Sequence, residues 1–325
     1  MSKIIILAGF PRSGTTWFAN LINMHENVLY RHELIGRHYA NLNTTVFDKI
    51  KAGIPLDEFE KGEVKFWVHK AHVNTDRPPF FKKQFGLQKF PRFHHYAWLV
   101  TNAINPISSL YEFLFTTKSP DACYFIKETR SLFQFDRFYN GLDADLLLFL
   151  VRRPHGSIAS HLNGINKGTM AASTKEKQHV WRETIREEFP QLYETLKETD
   201  MMSEVDFLSY QWLAYHQRMI KLHAKYNANI YSYEGLQNAT PAQTKALFNS
   251  VGLSVPQSNE DRSLQQNNPS LLKRDSSDPY YSVYRGDDFD PESWKSSLTR
   301  DQIDRITQIT SPVWKKIEEL FICVA

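Results

Sequence analysis

Cysteine is nearly absent from the sequence: the 325 residues include two, Cys123 and Cys323. So few cysteines argue against a disulfide-stabilised fold and favour a reducing compartment. Long apolar runs are missing as well, and none approaches the length of a membrane-spanning helix. The apolar start, residues 3–10, leads straight into a Pro-Arg-Ser-Gly turn instead of the cleavage site that a signal peptide needs. We therefore expect a cytoplasmic protein without a membrane span.

A linker is also lacking, since no Pro/Gly/Ser-rich stretch, low-complexity tract or internal repeat divides the chain. The length is enough to bury a sizeable core, so we expect a single domain over residues 1–325. The net charge of +3 does not indicate a nucleic-acid partner, but a mildly basic protein suits a small, strongly anionic ligand. Nothing in the sequence indicates an oligomeric state.

Short apolar segments alternate with segments of helical periodicity. Strands are predicted at residues 3–10, 28–30, 122–126, 146–151 and 230–233. Helices are predicted at residues 16–23, 132–142, 204–226, 241–251 and 299–321, with a further helix beginning at Pro154 and a break or kink near Pro312. This alternation indicates an α/β fold with a central parallel sheet flanked by helices. Residues 40–120 lack a convincing strand, and we interpret them as a helical insertion near the ligand-binding end of the sheet.

The strongest motif is the segment from Gly9 to Thr16, GFPRSGTT, which lies between the first predicted strand and the first predicted helix. Backbone N–H groups at a helix start form a concave anion site, and the helix dipole favours negative charge there. Gly14 allows a close approach of a ligand, Thr15 and Thr16 add hydroxyl donors, and Arg12 adds a permanent cation. The segment therefore predicts a loop that binds phosphate or a similar anion.

This loop departs from that of the nucleotide triphosphatases. Its spacing nearly matches Gly-x-x-x-x-Gly-Lys-Ser/Thr, but Thr15 stands where the lysine belongs. The cation lies upstream at Arg12, which disfavours a γ-phosphate site that depends on that lysine and on Mg²⁺. A P-loop kinase or nucleotide triphosphatase is the alternative function.

Two segments resemble the sulfotransferases that use 3′-phosphoadenosine-5′-phosphosulfate (PAPS). Residues 11–17, PRSGTTW, closely resemble the family's 5′-phosphosulfate loop. Residues 150–154, LVRRP, with Ser160 eight residues after Arg152, resemble its 3′-phosphate motif, although Arg153 stands where the family usually has an acidic or small residue. The resemblance implies a P-loop-like three-layer domain, PAPS as co-substrate, 3′-phosphoadenosine-5′-phosphate (PAP) as product, and no metal.

The resemblance also implies which residues bind the donor. They are Arg12, Ser13, Gly14, Thr15, Thr16 and Trp17 in the loop, Arg152 and Ser160 in the second motif, and Arg285, whose pair with Gly286 resembles a basic-glycine element of the family.

Three residues are the candidates for catalysis. Arg12 and Lys127 are candidates for stabilising charge, since the segment from Phe125 to Thr129 resembles one in which the family has a lysine before a short polar pair. Glu33 is the preferred general base, because branches that act on tyrosine and on heparan sulfate have a catalytic glutamate in a similar place.

Two other side chains are alternative bases. His72, in the segment from Lys70 to His72, resembles the Lys-x-His of the branch that acts on small phenols and steroids, but it is offset from that branch's position in the fold. Glu128 directly follows Lys127. The acceptor is expected to be a small molecule or a carbohydrate, with its hydroxyl on a sugar, an aliphatic alcohol or a phenol. A catalytically inactive PAP-binding protein is a further alternative.

Overall fold

The structure, a computed structural model of the chain, describes residues 3–33 except 24 and 26, residues 54–70, 123–129 and 135–255, residues 290–322 except 291, and positions 46, 49 and 100. Its strands are β1 (Ile4–Ala8), β2 (Val28–His32), β3 (Cys123–Glu128), β4 (Leu146–Val151) and β5 (Asn229–Ser232). Its helices are α1 (Thr15–Ile22), α2 (Glu58–Lys70), α3 (Phe135–Leu142), α4 (Pro154–Asn166), α5 (Lys175–Ile185), α6 (Pro190–Leu196), α7 (Glu204–Tyr226), α8 (Tyr233–Gln237), α9 (Pro241–Ser250), α10 (Trp294–Ser297) and α11 (Arg300–Glu318).

The strands form one parallel sheet in the order β2-β3-β1-β4-β5. β1 lies at its centre, with Ile4 opposite Tyr124 of β3 and Ile5 opposite Leu146 of β4. Every residue of β1 is buried, which explains why this strand is a continuous apolar run in the sequence rather than an alternating one. The predicted α/β fold with a central parallel sheet is confirmed.

Each strand contributes to two cores, because successive side chains point to opposite faces of a sheet. On one face, Ile4 and Ile6 of β1 belong to a cluster with Trp212 of α7 and Val313 of α11. On the other face, Ile5 belongs to a cluster with residues of α1 and α9. Helices therefore cover both faces of the sheet, which gives the three-layer arrangement.

The bounds of two predicted elements, β4 and α7, agree with the structure residue for residue. β1 is shorter than predicted, because Gly9 and Phe10 belong to the following loop. Of the predicted break or kink near Pro312, the break is wrong, since α11 continues through the proline, and the kink stays a prediction. The turns on both sides of Pro312 share a buried face, with Ile309 and Val313, and α11 packs along α7. That packing stabilises the helix against the lost backbone hydrogen bond.

Four helices, α5, α6, α8 and α10, have no counterpart among the predicted elements. α5 is mostly polar and so shows little apolar periodicity. It begins after Thr174, whose side chain accepts a hydrogen bond from the Lys177 N–H, which is a typical helix cap. None of the described helices is long and apolar enough to cross a membrane.

The helix α2 belongs to the region predicted as an insertion, residues 40–120, most of which lies outside the described residues. Arg31 of the edge strand β2 anchors it: this buried side chain donates from Nε to the Val68 carbonyl at 2.7 Å and from Nη1 to the Tyr30 carbonyl at 3.0 Å. A cation is favourable at the last turn of a helix. α2 is thus held against the strand that leads to Glu33.

The carboxyl ends of β1, β3 and β4 meet at one edge of the sheet. Within the strand order, the connection from β1 leads in one direction, to β2, whereas the connection from β4 leads in the opposite direction, to β5. Parallel α/β sheets bind ligands in the crevice between two adjacent strands whose connections run in opposite directions. A site is therefore expected near Gly9, Thr129 and Arg152, the residues that follow the three strands.

A charged network holds α3 against α7. Asp136 of α3 accepts hydrogen bonds from Arg218, Lys225 and Tyr226 of α7, the last at 2.7 Å. Partial burial raises the pKa of Asp136, but the hydrogen bonds from Lys225 and Tyr226 and the charge of Arg218 outweigh it, so the pKa lies below its usual value. The ionised form of Asp136 therefore stabilises the fold.

Asp136→Asn is expected to lower the free energy of unfolding at pH 7 by about 1–2 kcal/mol, as for hydrogen bonds to a partly exposed charge. Because the folded-state pKa is lowered, this contribution is complete above the unfolded-state pKa and is lost as the pH falls through the folded-state value. Urea unfolding should therefore show a difference between wild type and variant at pH 7 that shrinks towards about pH 3.

The control for this variant is Asp304→Asn, which removes an exposed ion pair with Arg300 and should change the free energy of unfolding by less than about 0.5 kcal/mol. A difference between wild type and Asp136→Asn that is the same at both pH values would contradict the stabilising role of the carboxylate.

Candidate active site

The loop between β1 and α1 contains two residues in the left-handed backbone region. Arg12 has a φ of +72° and Gly14 a φ of +91°, and the Ser13 N–H donates to the Phe10 carbonyl at 3.0 Å. A left-handed arginine is a strained residue of the kind that clusters at functional sites. Gly14 has a second reason to lack a side chain, because a Cβ there would overlap the ring of Tyr233.

The helix α1 begins at this loop with an uncompensated positive end. Its first hydrogen bond runs from the Phe18 N–H to the Gly14 carbonyl at 3.1 Å, so the N–H groups of Thr15, Thr16 and Trp17 have no partner within the helix. None of the described residues in its first turn is acidic. The helix dipole and these N–H groups therefore favour an anion at this position.

Burial divides the six loop residues of the predicted donor site into a buried set, Ser13, Thr15 and Trp17, and a partly exposed set, Arg12, Gly14 and Thr16. The Ser13 hydroxyl is fully buried and has no hydrogen-bond partner among the residues that the structure describes. Trp17 packs edge-on against the ring of Tyr233, with 5.8 Å between the ring centroids. The partly exposed set therefore forms the open side of the loop, and the buried set supports it.

The two predicted donor motifs lie together in the structure. Arg12 Nε donates to the Ser160 hydroxyl at 3.1 Å, across 148 positions in the sequence. Arg152 Nη1 donates to the Arg12 carbonyl at 3.3 Å, and its guanidinium lies 5.1 Å from the ring centroid of Tyr233. These contacts bring two guanidinium groups to the carboxyl ends of β1 and β4.

Arg153, the residue that departs from the family motif, contacts acidic groups instead. Its N–H donates to Glu234 Oε1 at 3.0 Å, and its guanidinium pairs with Glu292 at 3.3 Å. Burial raises the pKa of Glu234, while the Arg153 N–H and the nearby arginines oppose this shift. Glu234 is not among the predicted site residues, although it stands two residues after β5 at the same edge of the sheet.

Glu33, Lys127 and Thr129 form a buried cluster at the carboxyl ends of β2 and β3. Lys127 Nζ donates to Glu33 Oε1 at 2.5 Å, and the Thr129 hydroxyl donates to the same oxygen at 2.9 Å. The exposed fractions of the three residues are 6%, 4% and 7%. Neither Glu33 nor Lys127 is therefore a solvated surface charge, and the structure brings the predicted base and a predicted charge-stabilising residue into contact.

The backbone also holds Glu33 in place. Its N–H donates to the Lys127 carbonyl at 2.7 Å, and its φ of +47° lies in the left-handed region. A glutamate has no local side-chain reason to adopt this conformation. Glu33 is therefore a second strained residue near the sheet edge that carries Arg12.

The alternative bases are placed differently. Glu128 is buried on the face of β3 opposite to Lys127, as strand alternation requires. It lies near Tyr215 of α7: burial raises the pKa of the Tyr215 hydroxyl, and the charge of Glu128 raises it further. His72 and the predicted donor residue Arg285 lie outside the described residues.

His161 is a neighbour of the loop that the sequence does not identify. It follows Ser160 in α4, and its pKa is lowered by burial and by the charge of Arg12, while Glu204 opposes the shift. The imidazole is therefore neutral near pH 7, and it adds no charge to the site. A single histidine inside a helix matches no motif, so the sequence holds no signal that could have identified it.

Among the described residues, no group of three or more His, Cys, Asp or Glu side chains lies close enough together to hold a metal ion.

No protein-family model and no curated protein matches the sequence. Three solved structures that resemble the chain are sulfotransferases. A sulfotransferase domain from the curacin biosynthetic pathway is 15% identical, with a TM-score of 0.45 over 95% of this chain and 97% of that one. A sulfotransferase from Alicyclobacillus acidocaldarius is 12% identical, with a TM-score of 0.43 over 98% and 96%. A sulfotransferase from Mycobacterium avium is 11% identical, with a TM-score of 0.40 over 98% and 77%.

The packing of the loop on Tyr233 can be tested with a pair of glycine variants. Gly14→Ala is expected to lower the free energy of unfolding by about 3 kcal/mol or more, because left-handed strain adds to overlap with the ring. Gly168 has a φ of +67° with open space where a Cβ would lie, so Gly168→Ala should cost about 1–2 kcal/mol from strain alone. Urea unfolding measures both, and equal losses would contradict the close approach of Tyr233 to Gly14.

Proposed function

We propose that the chain is a sulfotransferase that moves the sulfuryl group of PAPS to a hydroxyl of a small molecule or a carbohydrate and releases PAP. We further propose that residues 1–325 form a single domain of this kind and that it acts in the cytoplasm. One observation carries the proposal. The anion-binding loop at Arg12 contacts the Arg152–Ser160 motif, and the buried Glu33–Lys127 pair lies at the same edge of the sheet.

The loop suits the phosphosulfate end of the donor. Arg12, Gly14 and Thr16 form its partly exposed side, and the start of α1 supplies N–H donors and a positive dipole. Each charge-assisted hydrogen bond from such a site contributes about 1.5–3 kcal/mol. Arg152 and Ser160, next to the loop, are proposed to hold the 3′-phosphate. PAPS carries a phosphosulfate on the 5′ oxygen and a phosphate on the 3′ oxygen of its ribose, whereas ATP has no 3′-phosphate that would need a second site.

The kinase alternative has less support. Thr15 occupies the place of the lysine that nucleotide triphosphatases need, and its side chain is buried, so it does not replace that cation. An inactive PAP-binding protein would have no use for a carboxylate buried beside a lysine. The Glu33–Lys127 pair therefore favours an enzyme over a binding protein.

The proposed step is an in-line displacement at sulfur. The acceptor oxygen forms a bond to sulfur as the bond between sulfur and the phosphate oxygen of PAPS breaks, and the electron pair of the broken bond stays on PAP. Glu33 takes the proton of the acceptor hydroxyl. Arg12 and Lys127 stabilise the negative charge that develops on the leaving phosphate oxygen. No part of this step requires a metal ion.

Lys127 has two proposed partners in this scheme. In the structure its ammonium group donates to Glu33 Oε1 at 2.5 Å. A carboxylate paired with a cation is a poor base, because the pairing favours its charged form. A shift of Lys127 towards the donor would therefore both stabilise the leaving group and release Glu33 for proton transfer. Base catalysis would then depend on a bound donor.

Calorimetric titration with PAP, 5′-AMP and ATP·Mg²⁺ tests the donor site. We expect PAP to bind at micromolar or lower Kd without a metal, and AMP to bind more weakly because it lacks the 3′-phosphate. Arg152→Ala should reduce the ratio of PAP affinity to AMP affinity about 10–100-fold, the value of one charge-assisted contact. Arg300→Ala, which removes an exposed arginine, is the control and should leave that ratio unchanged. Binding of ATP·Mg²⁺ but not of PAP would overturn the proposal and favour the kinase alternative.

Glu33→Gln tests the general base. With PAPS and an acceptor, the variant should lose about 10²–10⁴-fold in kcat, because a positioned base contributes that much, while it still binds PAP. The control Glu188→Gln alters a partly buried carboxylate that pairs with Arg218 and should keep its turnover. Near-normal turnover of Glu33→Gln would eliminate Glu33 as base and leave His72 and Glu128.

A further inference from the structure

One carboxylate oxygen of Glu33 accepts hydrogen bonds from two different side chains. Lys127 Nζ and the Thr129 hydroxyl both donate to Oε1, at 2.5 and 2.9 Å. One donor is a cation on a long, flexible stem. The other is a neutral hydroxyl on a short, β-branched side chain, which is restricted at χ1. The two contacts therefore differ in charge and in mobility.

These contacts have different consequences for a base. If Lys127 turns towards PAPS, as proposed above, Glu33 loses this cationic contact. The hydroxyl of Thr129 is expected to keep its position, because Thr129 is the residue directly after β3 and is only 7% exposed. We infer that Thr129 is the positioning residue of the general base: its hydroxyl holds Oε1 of Glu33 in place during turnover. This inference rests on the proposed function of Glu33.

A neutral donor suits this role better than a charged one. A cation beside a carboxylate strongly favours its ionised form and makes it less able to accept a proton, whereas a neutral hydroxyl does so less. A hydrogen bond from Thr129 therefore orients Glu33 with less loss of basicity. Burial adds to the effect, since a buried carboxylate oxygen that loses a donor has little water to replace it.

The backbone of Glu33 makes this orientation necessary. Its N–H is fixed on the Lys127 carbonyl at 2.7 Å and its φ of +47° is strained, so the Cα position is determined by β3. The side chain still has three rotatable bonds beyond that point. Thr129 is a neutral side chain among the described contacts that restricts them.

The test compares Thr129→Val with Thr129→Ser. Valine keeps the shape of threonine but removes the donor, and kcat should fall about 10–100-fold, as for a misplaced catalytic group. KM for the acceptor and Kd for PAP should change less than about 3-fold, since neither ligand is bound by this hydroxyl. Serine keeps the donor and should restore kcat to within about 3-fold of wild type. A loss of kcat in both variants, or in neither, would overturn the inference.

A matched control separates positioning from folding. Thr310 of α11 is 1% exposed, and its hydroxyl donates to the Ile306 carbonyl at 2.7 Å. Thr310→Val therefore also removes a buried threonine hydroxyl, but away from the sheet edge. Its kcat should equal that of wild type at temperatures where both proteins are folded. An equal loss of kcat in Thr310→Val and Thr129→Val would assign the effect to stability and contradict the inference.

A second measurement does not need turnover. In crystal structures with PAP bound, the Glu33 carboxylate should keep its position in wild type and Thr129→Ser and leave it in Thr129→Val. A carboxylate that stays in place in Thr129→Val would overturn the positioning role, even if the wild type transfers sulfuryl groups. A carboxylate that moves in a protein without sulfuryl transfer would overturn the proposed function and leave the positioning role intact.

Discussion

The close contact between Tyr233 and the loop at Gly14 is the constraint on which the site depends. The ring leaves no space for a side chain at Gly14, lies edge-on to Trp17 at 5.8 Å and faces the guanidinium of Arg152 at 5.1 Å. One aromatic side chain after β5 therefore contacts the segments that follow β1 and β4. Because these contacts are made by a rigid ring at the end of a buried strand, the loop is preorganised before any ligand binds.

The charges of the site are divided between two places on the same edge of the sheet. Near β1 and β4, Arg12 and Arg152 contact a hydroxyl, a carbonyl and an aromatic ring. Near β2 and β3, Lys127 is paired with Glu33, so that place is electrically balanced. This division fits a dianionic donor group beside an uncharged acceptor hydroxyl.

The sequence predicts best what is determined locally. The loop from Gly9 to Thr16 was identified because a strand, a glycine turn and a helix start follow one another within a few residues, and β4 because it is a continuous apolar run between turn signals. The contact between Glu33 and Lys127 joins positions 94 apart. It depends on β2 pairing with β3, which no local pattern specifies.

The same reasoning explains the other contacts that the sequence did not reveal. The pairing of Arg153 with Glu292 joins positions 139 apart, and α5 is too polar to show the periodicity that identifies a helix. The resemblance to a family supplied Glu33 and Lys127 as separate candidates, and the sheet order of the structure brought them together. Tertiary packing, rather than residue type, decided these contacts.

A buried ion pair is weak evidence for stability, because removing two charges from water costs about as much as their attraction returns. At Glu33 this cost is accompanied by a left-handed backbone at φ +47°, so neither the side chain nor the backbone takes its most stable form. An apolar pair of similar volume would serve the fold at least as well. The stabilising part of the cluster consists of two neutral donors: the Thr129 hydroxyl, which donates to the Glu33 carboxylate, and the Glu33 N–H, which donates to the Lys127 carbonyl of β3. The proposed roles of Glu33 and Lys127 would account for the charged part, since a general base and a charge-stabilising group require a carboxylate and an ammonium group at this edge of the sheet.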